Sequence, residues 1–572
     1  MRRTILILTL VLHAVCMMGI PAKRDVWRTL ILADGTEVRA QLQGDERRHF
    51  WVDADGGRYV RRGSIFVRED DVRNLVVGNG ASLSGDAIGN DALLQHKSGR
   101  FHQATARTRQ IDDGGAYLGM KRGLVILVEY ADVAFREEHT AAKFGQVFNE
   151  RGYATDEGFR GSVADYFHDQ SSGLFELEFD VVGPVRLAHE RKYYGANTED
   201  GDDRNPMEMV VEGCRAIGAM VNFADYDWDG DGVVEQVYVL YAGTGEAESG
   251  DEDDVWPHMW YLSATDMAIT LDGVVIDAYA CSNEVTVDGT LEGIGTFCHE
   301  FSHCLGFPDF YDTLGGNCFG MGHFDLLDRG NYNGNSFCPA GYTAYEKMTA
   351  GWLQPVVLSA DTVITSVPPA SEGGQTYIIY NDAWPDEYYL VENRQYTGWD
   401  AALPDCGLMI THVDYDEEIW WWNIPNSLVA SGDDFHAAGY PINNHQRMTI
   451  FHADNHAVIG KEQGDLYPRG ASDSLTVTST PAATIYHTAE GEGGLLNKSL
   501  TDITRNADGT ISFRFHASGT PSQGTSIQLP FSSQREAGKG RIYSLGGQYM
   551  GTDFESLPPG IYIVNGKKRI VK

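Results

Sequence analysis

The stretch Gly293-Ile-Gly-Thr-Phe-Cys-His299-Glu300-Phe-Ser-His303-Cys-Leu-Gly306-Phe-Pro-Asp309 decides the fold of the region around it. Apolar side chains recur through it at helical spacing, which predicts a buried helix. His299 and His303 are four residues apart, so on a helix their imidazoles share a face and can bind one metal ion. Glu300 lies beside that ion, where it can take a proton from a bound water and deliver it to a leaving amine.

The third ligand is expected just after the helix. Gly306 is expected to end the helix, because glycine readily adopts the left-handed cap. The turn brings Asp309 back to the metal, with Asp312 as a rival ligand or as a partner that orients a ligand histidine. Two neutral imidazoles and one carboxylate suit zinc and leave a fourth position for water. The alternative is a surface helix with two solvated histidines.

The segment from His299 to Asp309 resembles the HExxHxxGxxD zinc signature of the immune inhibitor A family of secreted metallopeptidases, which are metzincin-like endopeptidases. The resemblance implies zinc binding by His299, His303 and Asp309. It also implies that Glu300 is the general base and acid. It extends from about Gly123 to Phe515 and includes segments at 310–313, 339–352, 392–395 and 407–414.

One departure from the family lies in the segment 322–328. Metzincins carry a methionine in a turn below the zinc, and the family usually reads Trp-Asp-Leu-Met there. Leu327 occupies the methionine position in this sequence, and leucine is close enough in volume to serve as an apolar floor. Met321 is an alternative floor residue.

A calcium-like loop runs from residue 225 to 235, with carboxylates at alternating positions and glycines for tight turns. If Asp227 is loop position 1, Asp229 and Asp231 fall at positions 3 and 5, and Glu235 at 9. Position 12 is Tyr238 rather than the bidentate glutamate of an EF-hand, and the run around it reads as a strand. We therefore expect a single structural calcium loop. The alternative is an acidic turn without an ion, although such close like charges repel when no cation is present.

Composition excludes several partners. The 572 residues carry a formal net charge of −37, so the chain lacks the basic face that nucleic acid requires. The same charge argues against docking on an anionic membrane. At 42% hydrophobic residues the chain can bury large cores.

Both ends of the chain read as export signals. A basic start, an apolar run over 4–20 and small residues before Lys23 predict a signal peptide. The run is too short for a confident membrane span, and no second apolar stretch approaches 18 residues. The basic end of the chain contains a hairpin signal at Asn565-Gly566 and resembles the C-terminal sorting segments of Bacteroidetes proteins exported by the type IX system.

The sequence thus predicts an α+β fold with a metzincin-like zinc protease domain, a β-rich propeptide, a β-rich C-terminal region and a small β tail. The propeptide segment contains no cysteine, so a carboxylate or the chain itself must block the metal if the precursor is latent. A plain N-terminal β-domain is the alternative. The predicted segments are a signal peptide at 1–22, the propeptide at 23–112, the zinc metalloprotease catalytic domain at 113–355, the β-rich region of the protease unit at 356–516, a linker at 517–540 and the sorting-like β segment at 541–572.

Three other features leave alternatives open. Seven cysteines remain after signal removal, too few for a disulfide-dense scaffold, and either pairing among residues 298, 304, 318 and 338 or free buried thiols fits them. The run Trp420-Trp421-Trp422 is expected to pack under a loop rather than to form a substrate surface. Histidines at 412, 445 and 452 lie among predicted strands, which include 362–367, 408–413 and 475–480. We expect these histidines to be hydrogen-bonded structural residues.

These patterns together predict a secreted or cell-surface zinc endopeptidase that acts on protein or peptide substrates. It is expected to use Zn²⁺ for catalysis and Ca²⁺ for stability, and its tail is expected to contact an export machinery. A non-catalytic calcium-binding adhesin that retains the protease fold is the main alternative. A zinc hydrolase of non-peptide bonds is a third.

Overall fold

The computed structural model describes residues 18–24, 26–62, 65–69, 117–198, 201–316, 318–489 and 491–518, together with four short strands of the tail. The predicted signal peptide up to residue 17, the whole of the propeptide segment after residue 69 and nearly all of the linker lie outside the described residues. Within the described part, no helix combines the length and the apolar character needed to cross a bilayer.

The N-terminal segment is built from strands, as the sequence predicts. After a two-residue strand, five strands form an antiparallel sheet in sequential order. Leu30, Leu42 and Trp51 form its core together with Ala247 and Trp256 of the following region, so the sheet packs against that region. The strands are β1 Met18–Gly19, β2 Trp27–Ile31, β3 Glu37–Gly44, β4 His49–Asp53, β5 Arg58–Arg62 and β6 Ile65–Arg68.

The next region is centred on a six-stranded sheet. Its strands are β7 Gly119–Glu129, β8 Phe175–Arg186, β9 Val237–Tyr241, β10 His258–Tyr261 and β13 Ala278–Asn283, and β1 completes it at one edge. The strands β11 Ile269–Leu271 and β12 Val274–Ile276 form a separate hairpin. The order is β1-β10-β13-β9-β7-β8, in which β13, β9, β7 and β8 run parallel. The chain is therefore a mixed α/β protein.

Helices cover both faces of this sheet because β7 is apolar on both sides, as parallel strands usually are. Leu124, Ile126 and Val128 pack with one group of helical side chains, and Val125 and Leu127 pack with another. The helices of the described residues are α1 Ala141–Asn149, α2 Val163–Gln170, α3 Arg191–Tyr194, α4 Pro206–Ile217, α5 Glu246–Ser249, α6 Gly295–Cys304, α7 Ala344–Thr349, α8 Glu417–Trp421 and α9 Asp434–Ala437. Short 3₁₀ turns lie at Phe223–Tyr226, Leu262–Thr265, Gly322–Phe324, Arg329–Tyr332, Ala370–Glu372 and Gly398–Ala402.

Helix α6 carries the two spaced histidines. It lies against β13, β10 and β1, and each of its ten residues is buried. The helix ends where the sequence predicts, because Gly306 adopts a φ of +93°, a left-handed conformation that glycine reaches without steric cost.

The β-rich region after residue 355 forms two sheets and a hairpin around a third core. The predicted strand at 475–480 is wrong: Leu475 makes one isolated bridge to Leu500, and the residues after it form turns stabilised by Thr476 and Ser479. The strands are β14 Val356–Val357, β15 Thr362–Val367, β16 Tyr377–Tyr380, β17 Glu387–Arg394, β18 Gly407–Asp414, β19 Met448–Ile450, β20 Thr484–Thr488, β21 Gly491–Leu495, β22 Ser499–Arg505 and β23 Ile511–His516.

The tail contains four further strands in the order β25-β24-β26-β27. They are β24 Ile542–Ser544, β25 Tyr549–Gly551, β26 Gly560–Val564 and β27 Lys567–Val571. The hairpin signal at 565–566 lies outside the described residues, although β26 and β27 on either side of it pair antiparallel.

Candidate metal centre

Helix α6 holds the two histidines face to face with a carboxylate from the loop that follows. The Oδ1 atom of Asp309 lies 3.2 Å from Nε2 of His299 and 3.2 Å from Nε2 of His303. All three side chains are completely buried. Asp312 lies outside this group, and its carboxylate accepts the backbone N–H groups of Leu314 and Cys318 at 3.3 and 3.2 Å.

The protonation of these side chains fits a metal ligand set. Nδ1 of His299 hydrogen-bonds to the carbonyl oxygen of Leu326 at 2.7 Å, and Nδ1 of His303 to that of Phe307 at 2.8 Å. A carbonyl oxygen only accepts, so Nδ1 carries a proton in each ring, and Nε2 is the nitrogen that faces Asp309. Burial lowers the pKa of His299 and so favours the neutral ring. Burial alone raises the pKa of Asp309, but the two imidazoles outweigh it and lower that pKa.

The facing atoms lack protein hydrogen bonds. Within the described part of the chain, Nε2 of both histidines and Oδ1 of Asp309 are buried without a hydrogen-bond partner. Buried polar atoms are normally satisfied, so three that converge on one point fit a bound cation. Two imidazole nitrogens and one carboxylate oxygen are the donors that zinc accepts in catalytic sites.

Glu300 lies beside the ligands and is also completely buried. Burial raises its pKa well above the usual range, and the nearby carboxylates of Asp309 and Glu46 raise it further. Its Oε1 accepts a hydrogen bond from the backbone N–H of Ile20 at 2.9 Å, while Oε2 has no partner among the described residues.

The N-terminal residues 18–22, which we call the cleft strand, lie over this centre. Met18 and Gly19 pair antiparallel with β10 at the edge of the main sheet. The carbonyl oxygens of Gly19 and Pro21 accept the hydroxyls of Tyr311 and Tyr332, both at 2.7 Å. The carbonyl oxygen of Ile20 accepts Nε1 of Trp256 at 3.0 Å. The cleft thus holds an extended peptide by its backbone.

Two carboxylates of the N-terminal sheet also reach the cleft. Asp45 accepts a hydrogen bond from the Tyr311 hydroxyl at 3.1 Å, and both oxygens of Glu46 are buried. Burial raises the pKa of Glu46 well above its usual range. A Cβ at Gly19 would lie only 2.7 Å from the backbone carbonyl oxygen of Pro257, so the close approach of the cleft strand to the chain before β10 requires glycine at position 19.

The backbone of the segment 325–328 supports the metal centre through hydrogen bonds. The carbonyl oxygen of Leu326 accepts from His299, and that of Leu327 accepts the backbone N–H of Phe310 at 2.8 Å, next to Asp309. Leu327 and Met321 are both fully buried. Both candidate floor residues are therefore in the core, and the backbone of this segment fixes ligand groups on two sides.

The acidic loop brings three carboxylates together. Ligand atoms of Asp227, Asp229 and Asp231 lie within 4.8 Å of one another. Glu235 is outside that group: its Oε2 accepts the backbone N–H of Trp228 at 2.6 Å, and burial raises its pKa to about 8.

The tryptophan run, the cysteines and the histidines of the β-rich region have contacts that fit structural roles. Trp420 is buried and lies near Phe310 and Tyr345, as a packing role predicts. The seven cysteines of the described residues form no disulfide with one another. The histidines of the β-rich region pair with carboxylates: His412 with Glu387, His445 with Asp414 and His452 with Asp465.

The sequence did not reveal four contributors to the site: Ile20, Tyr311, Tyr332 and Asn423. The side-chain amide Nδ2 of Asn423 donates to Oδ2 of Asp309 at 2.7 Å. The contacts of these four residues join segments that are far apart in the chain, and no local sequence motif predicts such contacts. The one local sign for Asn423 is its residue type, since asparagine tolerates the left-handed backbone that it adopts there.

A sheet flanked by helices, with a buried His-Glu-x-x-His helix and a carboxylate from the next loop, defines the class of metallopeptidase catalytic domains. Residues 120–355 match the family model described as immune inhibitor A peptidase M6, catalytic domain. This part of the chain is therefore similar to the catalytic domain of the immune inhibitor A peptidases, as the sequence motif predicts.

Two curated relatives agree with this assignment. Immune inhibitor A of Bacillus thuringiensis subsp. alesti is 26% identical over an alignment of 228 positions that covers 33% of this chain and 33% of that protein. The pre-pro-metalloprotease PrtV of Vibrio cholerae serotype O1 is 24% identical over an alignment of 261 positions that covers 38% of this chain and 28% of that protein. The chain matches about a third of the length of each relative.

Proposed function

We propose that this protein is a zinc-dependent endopeptidase that hydrolyses peptide bonds in proteins. The observation that carries the proposal is the convergence of three buried, unpartnered donors from His299, His303 and Asp309 beside the carboxylate of Glu300. Zinc held by these three side chains would acidify a bound water and polarise the scissile carbonyl.

In the proposed mechanism the chain's own residues move one proton. Glu300 accepts a proton as the water oxygen attacks the scissile carbonyl carbon. The protonated Glu300 then delivers that proton to the amide nitrogen as the C–N bond breaks, which regenerates its carboxylate and releases a carboxylic acid and an amine.

The cleft strand supports peptides as substrates. Three of its backbone carbonyls accept hydrogen bonds from side chains that line the cleft. Such contacts use groups that every peptide carries, so the cleft accepts an extended chain largely independently of its sequence. We propose protein or peptide substrates bound in extended form at β10.

Removal of the metal is the direct test of this function. Protein freed of residues 1–112 is expected to degrade casein, to lose that activity after chelation and dialysis, and to regain it with stoichiometric zinc. Cleavage that persists in metal-free protein would contradict the zinc mechanism. If the zinc-loaded, freed protein cleaved no protein at all, the adhesin alternative would gain support.

We also propose that the acidic loop of Asp227, Asp229 and Asp231 binds a structural calcium ion. The grouped carboxylates support this, and backbone N–H groups of Gly230 and Gly232 fix the orientation of Asp227. Glu235 also belongs to the ligand set that the sequence predicts, and it is the weakest member because its Oε2 already accepts the backbone N–H of Trp228.

Calcium is expected to raise the thermal stability of the protein, and Asp229→Ala is expected to remove that gain. At a calcium concentration 100 times Kd, binding to the folded state contributes about 2.7 kcal/mol, a rise in Tm of several degrees. Scanning calorimetry with and without calcium measures it. Asp156→Asn, an exposed aspartate outside the loop, is the control and keeps the gain. If added calcium did not change the Tm of the wild-type protein, a structural calcium ion in the acidic loop would be ruled out.

We propose further that the protein is made as a secreted precursor with a signal peptide at 1–22, a propeptide at 23–112 and a sorting tail at 541–572. Contacts between basic residues of the N-terminal segment and an acidic stretch of the catalytic region support a propeptide. Lys23 pairs with Glu248, and Arg61 with Glu252, both at 2.8 Å. The related protein PrtV is described as a pre-pro-metalloprotease.

A further inference from the structure

Asn423 makes a two-point contact with the third side chain of the metal centre. Its Nδ2 donates to Oδ2 of Asp309 at 2.7 Å, and its Oδ1 accepts the backbone N–H of Asp309 at 2.6 Å. Both residues are completely buried. Asn423 lies two residues after α8, beyond the part of the chain that matches the catalytic-domain family model. One side chain of the β-rich region therefore holds both the carboxylate and the backbone of Asp309.

This contact distinguishes the two oxygens of the Asp309 carboxylate. Oδ2 is occupied by the Asn423 amide, while Oδ1 faces the Nε2 atoms of His299 and His303. A carboxylate free to rotate presents either oxygen, or both, to a cation. We propose that Asn423 is a positioning residue that presents Asp309 to the metal through a single oxygen, an inference that rests on the proposed zinc site.

The backbone of Asn423 is also held in place by hydrogen bonds. Its φ is +56°, in the left-handed region that asparagine tolerates better than most residues with a Cβ. Its N–H donates to the carbonyl of Trp420 at 3.0 Å, and its own carbonyl accepts the hydroxyl of Thr313 at 2.7 Å. Thr313 belongs to the same loop as Asp309, so the two loops are tied together at two places. These contacts hold the amide of Asn423 in its orientation toward Asp309.

A neighbouring asparagine provides a matched control. Asn426 is equally buried, and its Nδ2 donates to the carbonyl of Phe310 at 2.7 Å. Its Oδ1 accepts the backbone N–H of Met448 at 3.0 Å. Asn426 thus makes the same number and kind of hydrogen bonds beside the same loop, and its amide donates to a backbone carbonyl rather than to the Asp309 carboxylate.

The test measures zinc affinity in the full chain by competition with a chromophoric chelator. Asn423→Gly and Asn423→Ala both remove the amide, and they differ in backbone strain because glycine accepts a positive φ and alanine does not. Both are expected to bind zinc about 10- to 100-fold more weakly than the wild type, as is typical when a partner of a metal ligand is lost. Asn426→Ala is expected to keep the wild-type affinity. In cobalt-loaded protein, the visible ligand-field bands are expected to change in the two Asn423 variants only.

The outcomes separate this inference from the proposed function. Wild-type zinc affinity in Asn423→Gly would overturn it, as would an equal loss in Asn426→Ala. The loss of zinc affinity could instead parallel the loss of thermal stability and be larger in Asn423→Ala than in Asn423→Gly. That result would assign Asn423 a purely structural role and would also overturn the inference. A wild-type protein that binds zinc but cleaves no protein would refute the peptidase proposal, while the order of affinities would still decide the role of Asn423.

Discussion

Replacing Glu300 by glutamine is expected to lower kcat/KM for protein cleavage by about 10²- to 10⁴-fold, the usual contribution of a general acid–base group. Glutamine has nearly the same shape but neither accepts nor returns the proton of the attacking water. The metal donors come from His299, His303 and Asp309, so the variant is expected to keep its zinc. The measurement is the initial rate on fluorogenic casein, with zinc content determined by atomic absorption.

Glu138→Gln serves as the control for this experiment, since Glu138 is exposed on the same region of the chain. It removes one negative charge without touching the cleft and is expected to leave the rate unchanged. Substantial cleavage by the Glu300→Gln protein would refute the proposed mechanism. Loss of zinc together with activity would show instead that Glu300 maintains the metal site.

Cutting the folded precursor after residue 112 is expected to raise its proteolytic rate roughly a hundredfold. The cleft strand occupies the β10 edge and hydrogen-bonds Glu300, so substrate and strand compete for one place. We assume that the state with the cleft strand bound is more stable than the state with the cleft empty by about 3 kcal/mol. Only about one precursor molecule in 150 then has an empty cleft, and the apparent affinity for substrate is lower by the same factor. A recognition site for a sequence-specific protease, inserted after residue 112, lets the chain fold whole before it is cut.

The casein rate before and after cutting measures this effect, and the same protease added to a chain without the inserted site controls for its own activity. An uncut chain that is already as fast as the cut one would contradict latency. A chain that begins at Lys23 gives the finer comparison, because signal cleavage after Ala22 would take the cleft strand away. This chain is expected to stay slower than the cut protein, since Glu46 remains beside Glu300.

Local sequence predicted the helix at the centre of the candidate site. The spacing of His299 and His303 and the apolar residues around them define a helix with a metal-binding face, and the structure has that helix at Gly295–Cys304. Gly306 marks its end because the backbone requirement there is local. The strands Thr362–Val367 and Gly407–Asp414 of the β-rich region also follow from runs of apolar and β-branched residues. The strand predicted at 475–480 failed because its apolar pattern is not matched by a paired neighbour beyond the single bridge at Leu475.

Only the tertiary structure decided which distant groups meet at that helix. The sequence allows either Asp309 or Asp312 as the third metal ligand. The path of the loop brings Asp309, and not Asp312, to the histidines. The contact of Asn423 with Asp309 spans 114 residues, and that of Ile20 with Glu300 spans 280. Periodicity and capping report interactions within a few residues, whereas such contacts depend on how whole segments pack. The sequence by itself therefore determined the helix and its candidate chemistry, and the packing of remote segments determined which side chains complete the site and what lies over it.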